Sequence, residues 1–324
     1  MTTATTTTGD KVHLGRALDA LAHELDGDVI RGAVHQVDEH HEPDLLWALR
    51  GGGGNFGVVT EFTYRLHPVG PDVFVGFVVY HADRMAEVLR AYREYTAELD
   101  DAVSSFAICG TIPEADEFPE RSWGQPCVML VACAAADLAV GERLVQPLRD
   151  LGDPIADLSS AMPYLELQQL FDEDYPDGMR YYWKSLHLPE LSDDAIALSA
   201  DWAQRRPSPL STVELWHLGG AIARVPADAT AYGDRHAPYL LNVEANWQHA
   251  DDDEANLAWA RGCVEAFLDA STGREYLNFL GFLEDAQATL RVAHGDANYA
   301  RLAQLKRRVD PDNRFRLHQN IPPA

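Results

Sequence analysis

Four consecutive glycines stand inside the run Trp47-Ala48-Leu49-Arg50-Gly51-Gly52-Gly53-Gly54-Asn55-Phe56-Gly57-Val58-Val59-Thr60. A glycine loses more conformational freedom on folding than any other residue, so such a run persists where the chain must turn without a Cβ or where something approaches bare main chain. The flanks narrow the choice. Pro43 suits a first helical turn, and Leu45, Leu46 and Leu49 follow at helical spacing. After the loop, Val58, Thr60, Phe62, Tyr64 and Leu66 alternate with Val59, Glu61, Thr63 and Arg65, which predicts a strand with one buried face. Gly52, Gly54 and Gly57 satisfy G-x-G-x-x-G, but that fingerprint needs the strand before the helix and an acidic residue about 20 positions on. Here the order is reversed and the later stretch is Phe77-Val78-Val79. No Lys-Ser/Thr pair follows the glycines, so a P-loop is excluded as well.

The chain of 324 residues carries 26 Lys and Arg against 51 Asp and Glu, a net charge of −25. That field repels phosphate backbones and anionic membrane surfaces, which argues against nucleic-acid binding. Cys109, Cys127, Cys133 and Cys263 form no C-x-x-C pair, so neither a zinc site nor a disulfide framework is indicated, and no metal is expected. No apolar run reaches membrane-spanning length, and the threonine-rich start lacks the apolar core of a signal peptide. A cytoplasmic location is the default expectation, and the threonine stretch is expected to be disordered.

Leu14 to Leu25 has helical spacing, and Val29 to Val37 is a strand candidate. Strands are expected over Val73–Tyr80, Val103–Cys109, Cys127–Ala134, Tyr181–Leu188, Leu210–Leu218 and Tyr239–Trp247. Helices are expected through Met85–Leu99, Val140–Leu151, Asp193–Gln204 and Asn256–Leu268. Asp251 to Glu254 most simply cap the last of these; a calcium or magnesium site would need ligands from elsewhere. Long strands separated by helices without regular βαβ spacing predict an α+β fold, a large antiparallel sheet with helices on one face.

Two long motifs, Pro43 to Phe62 and Asn298 to Pro323, resemble segments of the FAD-linked oxidase family that includes berberine bridge enzyme and the oligosaccharide oxidases. In the second, Leu305-Lys306-Arg307-Arg308-Val309-Asp310-Pro311-Asp312-Asn313-Arg314-Phe315 is followed by Gln319-Asn320-Ile321-Pro322-Pro323. The resemblance runs from Pro43 to the last residue. It implies residues 43–70 as a remnant of an FAD-binding domain, 71–295 as a substrate domain, and 296–324 as a segment that packs back on the flavin domain. Residues 1–42 match nothing in the family. They lack its pyrophosphate loop and its flavin-bonding His, so covalent attachment of FAD is not expected. The resemblance implies an FAD-dependent oxidase that passes a substrate hydride to flavin and on to dioxygen, acting on an alcohol, sugar or phenolic metabolite. The alternative is a truncated remnant, or a substrate subunit that binds no flavin alone and works with a separately encoded flavin domain or as a homo-oligomer.

The resemblance also implies cofactor contacts at Gly54, Asn55, Gly57 and Val58, and at Tyr276 and Asn278. In this family the strand holding Tyr276-Leu277-Asn278-Phe279 runs beside the flavin, and a Tyr at the position of Phe279 often serves as the general base. Phe279 has no hydroxyl, so the base must come from elsewhere. Tyr276 keeps a phenol, but strand alternation would put 276 and 278 on one face and 279 on the other. Glu214, sharing a face with Trp216, and Glu244, on the strand of Asn246, are candidates for a buried catalytic carboxylate. Read one at a time, each is better explained as an exposed or satisfied structural residue. Met179 to Ser185, dense in aromatics and cations, either lines a cavity for a ring or protects a sheet edge. The cations Lys306-Arg307-Arg308 close a helix, where they complement its dipole.

Overall fold

The computed structural model describes residues 11–14, 34–281, 286–317 and 319–324. The helix expected over 14–25 falls, beyond Leu14, outside the described residues, as do the threonine stretch and most of the strand expected over 29–37. The chain divides into two compact units, one reaching to Pro68 and resuming at Ala297–Ala324, the other Val69–Asp296. Among the described residues no helix is long and apolar enough to cross a membrane.

In the first unit, strand β1 (Lys11–Leu14) pairs antiparallel with β2 (Phe62–Arg65), and helix α1 (Pro43–Leu49) precedes the glycine run with its proline at the helix start. The run turns into a single 3-10 turn, Gly53–Asn55. Gly51 and Gly53 have φ of +125° and +65°, and a Cβ on Gly52 would sit 2.6 Å from the Ala48 carbonyl oxygen and 2.9 Å from Leu302. Backbone geometry and close packing therefore account for three of the four glycines. The strand after the loop is shorter than expected, and its predicted buried face is absent: Phe62, Tyr64 and Leu66 are all about half exposed. A two-stranded ribbon has no second layer to cover it.

The C-terminal helix Asp296–Val309 brings Lys306 into the same unit, where it is completely buried. Its Nζ donates to the Asn55 carbonyl at 2.7 Å, to Asp310 at 2.6 Å and to the Phe315 carbonyl at 2.8 Å. Asp310 in turn accepts the main-chain N–H groups of Arg314 and Phe315. A helix dipole does not explain such a lysine; it is a buried, fully bonded cation that ties the glycine turn to the chain terminus.

The second unit is built on an eight-stranded antiparallel sheet. Its strands are β3 (Asp72–His81), β4 (Val103–Thr111), β5 (Pro126–Ala134), β6 (Ala156–Asp157), β7 (Ser160–Pro163), β8 (Arg180–Leu188), β9 (Thr212–His217) and β10 (Tyr239–Trp247). The order is β6-β3-β5-β4-β9-β10-β8, with β7 also on β3. Helices α2 (Met85–Ala97), α3 (Leu138–Arg149), α4 (Asp193–Gln204) and α5 (Asp253–Phe267) cover one face. Their apolar stripes, such as Met85, Val88, Leu89 and Tyr92 of α2, meet Ala107, Leu130, Val213, Leu215 and Val243 in one core. Ser192 caps α4 through its Oγ. Asp252 precedes α5 without a side-chain cap; Asp253 instead takes a two-point contact from Arg180 and a bond from Trp247 Nε1. The Ala221–Arg224 stretch is a short helix.

Lys306→Ala leaves Asp310 buried and unpaired, and is expected to destabilise the protein by about 3–5 kcal/mol. The control Arg307→Ala, at an exposed neighbour, should stay within about 0.5 kcal/mol. Urea unfolding of the three proteins checks this.

Candidate functional site

Strand alternation sends Val213, Leu215 and Val243 into the helix-covered core and their neighbours to the opposite face. On that face Glu214 stands directly across from Asn242, and Glu244 across from both Thr212 and Trp183. The two glutamates proposed singly from sequence are thus brought together. Asn242 Nδ2 donates to Glu244 Oε1 at 2.7 Å and to Glu214 Oε2 at 3.3 Å. Glu214 also accepts from Trp216 Nε1 at 2.7 Å and Thr212 Oγ1 at 3.1 Å, and Glu244 accepts from the Tyr175 hydroxyl at 2.6 Å. Glu214 is 4% exposed, Glu244 3% and Asn242 0%. No cation pairs with either carboxyl among the described residues.

Two buried carboxyls sharing one amide resist double ionisation. Burial first, and the charge of Glu244 second, push Glu214 from 4.5 up to about 8. Glu244 is raised in the same direction, chiefly by burial. The pair therefore holds a proton at neutral pH and titrates as a unit. The imidazole on this face, His187, is kept from charging by burial; its Nδ1 lies 3.1 Å from the Arg274 carbonyl and its Nε2 3.1 Å from the Tyr232 hydroxyl. The neutral ring therefore donates at Nδ1 and accepts at Nε2.

Tyr175, which bonds Glu244, also lines a cavity of about 250 Å³ together with Tyr181, Trp183, Asn278 and Phe279. Tyr175 and Trp183 meet edge to face at 5.5 Å, and Trp183 and Phe279 at 5.7 Å. The Met179–Ser185 stretch is both things its composition suggested: β8 is the edge of the sheet, and its aromatics line the cavity. The segment Tyr276–Phe279 is not a strand. Leu277–Phe279 forms a 3-10 turn, so the expected alternation fails and the Tyr276 and Phe279 rings meet at 5.1 Å. Asn278 donates to the Tyr276 hydroxyl at 2.6 Å, and Phe279 turns toward Trp183 and Trp216.

Tyr175 and Asn242 were not anticipated. Asn242 had a signal, since it lies two residues before Glu244 and so on the same face. Tyr175 had none, because it reaches Glu244 from an irregular loop.

In the first unit, Asn55 spends its amide internally, donating to the Gly52 and Gln319 carbonyls and accepting from the Ile321 N–H. Gly54 has a φ of −77°, open to any residue. Gly57, at φ +151° with open space where a Cβ would stand, and Val58, two-thirds exposed, present accessible main chain. Gly54 is exposed as well.

The C-terminal residues 284–322 match the family model "Berberine and berberine like". An FAD-linked oxidoreductase of Dictyostelium discoideum is 28% identical over 96% of this chain and 66% of its own length. The crystal structure of 6-hydroxy-D-nicotine oxidase from Arthrobacter nicotinovorans superposes with a TM-score of 0.74 at 26% identity, covering 89% of this chain and 63% of that one. Xylooligosaccharide oxidase from Myceliophthora thermophila shares the fold, with a TM-score of 0.73 at 20% identity over 90% of this chain and 64% of that one. Over most of its length the chain is thus similar to FAD-linked oxidoreductases, and at its C-terminus to the berberine bridge enzyme-like family. It spans just under two thirds of the length of these relatives.

The raised pKa of Glu214 has a consequence for stability. A carboxyl that holds its proton more tightly when folded stabilises fully below pH 4.5, and that contribution is lost as pH rises to about 8. Glu214→Gln should flatten this dependence and be the more stable protein at pH 9, by on the order of a few kcal/mol. Thermal or urea unfolding of both proteins from pH 4 to pH 9 measures it.

Proposed function

We propose that this chain forms the substrate-binding part of an FAD-dependent oxidase, which removes a hydride from a substrate C–H and a proton from the adjacent heteroatom. The observation that carries the reading is the buried Glu214–Asn242–Glu244 pair reached through Tyr175 from an aromatic cavity. When bound, FAD supplies the hydride acceptor, with dioxygen as final oxidant. The residues that would hold it are those the family resemblance implies, Gly54, Asn55, Gly57 and Val58 in the first unit and Tyr276 and Asn278 in the second.

The chain's own residues supply the proton acceptor that Phe279 cannot. Tyr175 already donates its proton toward Glu244. A substrate proton arriving at the Tyr175 oxygen is matched by transfer of the phenolic proton to Glu244, so no free phenolate forms in a site where burial and Glu244 disfavour it. Glu214, holding its own proton, leaves Glu244 as the ionised member of the pair. Trp183, Tyr181 and Phe279 hold the substrate body. The relatives' names cover both a nicotine oxidase and a sugar oxidase, so they leave an alcohol, sugar, phenol or amine as the heteroatom source.

Two outcomes are expected. Purified protein titrated with FAD should bind it, seen as a perturbed flavin absorbance band; a protein that stays colourless after gel filtration supports instead a substrate subunit that binds no flavin alone. In the loaded protein, Tyr175→Phe should lower kcat by about 10²–10⁴-fold with little change in KM. Unchanged kcat would remove Tyr175 from the reaction.

A further inference from the structure

β7 pairs with β3 near one end of the sheet, and β8 is the other end, so the chain crosses the sheet between them. It crosses on the face that the helices leave open. Phe171 packs on Phe106 at 5.9 Å and on Phe77 at 6.4 Å, and both of these rings pack with Val79, Ile108, Met129 and Val131 of that face. Four residues on, Tyr175 reaches Glu244 of β10.

This crossing is lightly held. From Tyr164 to Gly178 no residue is buried, and Leu165 is 78% exposed. Among the described residues, its bonds from main chain to main chain past Tyr164 are short turns within the segment. The N–H groups of Gln168, Gln169, Leu170, Asp172, Asp174 and Tyr175 all donate to carbonyls three or four residues back. Side chains tie it to the sheet instead. Phe171 fills the wedge between Phe77 and Phe106. The Tyr175 hydroxyl donates to Glu244 at 2.6 Å, its ring meets Trp183 at 5.5 Å, and the Tyr181 hydroxyl donates to the Pro176 carbonyl at 2.7 Å. Gly178, at φ +90°, supplies the left-handed turn into β8. Segments with few buried contacts and only local main-chain bonds lie at the low-stability end of a native structure and open before the rest. Of the residues lining the cavity of about 250 Å³, Tyr175 alone belongs to this segment; the others stand on β8 or at 278–281. Lifting the segment therefore removes one wall and leaves the others in place.

We propose that residues 164–178 are a hinged strap that opens and closes this cavity as one unit, with Phe171 as its anchor and the Tyr175–Glu244 bond as its latch. Phe171 is thus a positioning residue, acting by holding Tyr175 at Glu244. The strap's service as a gate rests on the reading of the cavity as a substrate site; its motion does not.

Hydrogen–deuterium exchange of the full chain, read by mass spectrometry without FAD or substrate, tests the strap. Tyr175→Phe keeps the ring and loses the latch, and should speed exchange about tenfold. The acceleration should appear at Gln168 to Leu170, toward the far end, as strongly as at Asp174 and Tyr175. Phe171→Ala should speed the same amides, and Phe171→Met, which refills the wedge, should restore most of their protection. Amides of β9 and β10 should keep their wild-type rates throughout, which also verifies the fold. Tyr164→Phe, at an exposed ring of the same segment, should change nothing. The proposal is overturned by unchanged exchange in Tyr175→Phe, by acceleration confined to Asp174 and Tyr175, or by acceleration that spreads to β9 and β10. It is equally overturned if Phe171→Met exchanges as fast as Phe171→Ala, or if Tyr164→Phe matches Tyr175→Phe. Flavin uptake is read separately by absorbance, so a strap that fails leaves the oxidase reading standing, and a chain that takes up no flavin leaves the strap standing.

Discussion

The chemistry of this chain rests on one constraint, the strict two-residue alternation of a sheet closed by helices on one side only. On β9 and β10, Val213, Leu215 and Val243 must face the helices, so Glu214, Asn242 and Glu244 are forced onto the other face. A shift of one residue in register would drive the carboxyls into the apolar core, and the cost of that fixes the pairing. The apolar residues therefore determine where the acids stand. Once side by side and out of water, the acids share Asn242 and one proton.

The glycine-rich turn tells a different story from the one its composition suggests. Most of it is explained by the fold itself: left-handed backbone at Gly51 and Gly53, and no room for a Cβ at Gly52. Asn55 and Lys306 then bind this turn to the chain terminus, Lys306 replacing its hydration with three oxygen acceptors. Gly57 has open space where a Cβ would stand, and Gly54 and Val58 are exposed. A glycine run that resembles a ligand loop can be largely a packing device.

Much of the fold was legible in the sequence, and for physical reasons. Helix Asp193–Gln204 has a serine cap at Ser192 and an apolar stripe, and strand Tyr239–Trp247 is a continuous apolar run interrupted only by residues of one parity. The residues after the glycines misled, because alternation from Val58 to Leu66 predicts a buried face only if a second layer exists to bury it. Tyr276 to Phe279 misled because a four-residue segment cannot distinguish a strand from a 3-10 turn. At the site, Glu214 and Glu244 were visible as carboxylates on apolar strands. Their convergence was not, since it depends on register between strands about 30 residues apart in sequence, which no local pattern encodes. Tyr175 was invisible for the same reason in stronger form: a loop hydroxyl is placed only by the tertiary structure.

The central claim is that the open face of the sheet holds a carboxyl pair carrying one proton at neutral pH, with Glu214 as its main bearer. Infrared spectroscopy of the wild type against Glu214→Gln at pH 7 addresses this directly, because a protonated carboxyl has a C=O stretch well separated from that of a carboxylate. The account predicts a protonated-carboxyl band in the wild type that titrates near pH 8 and is absent from Glu214→Gln. A wild-type spectrum at pH 7 with only ionised carboxylates would contradict it.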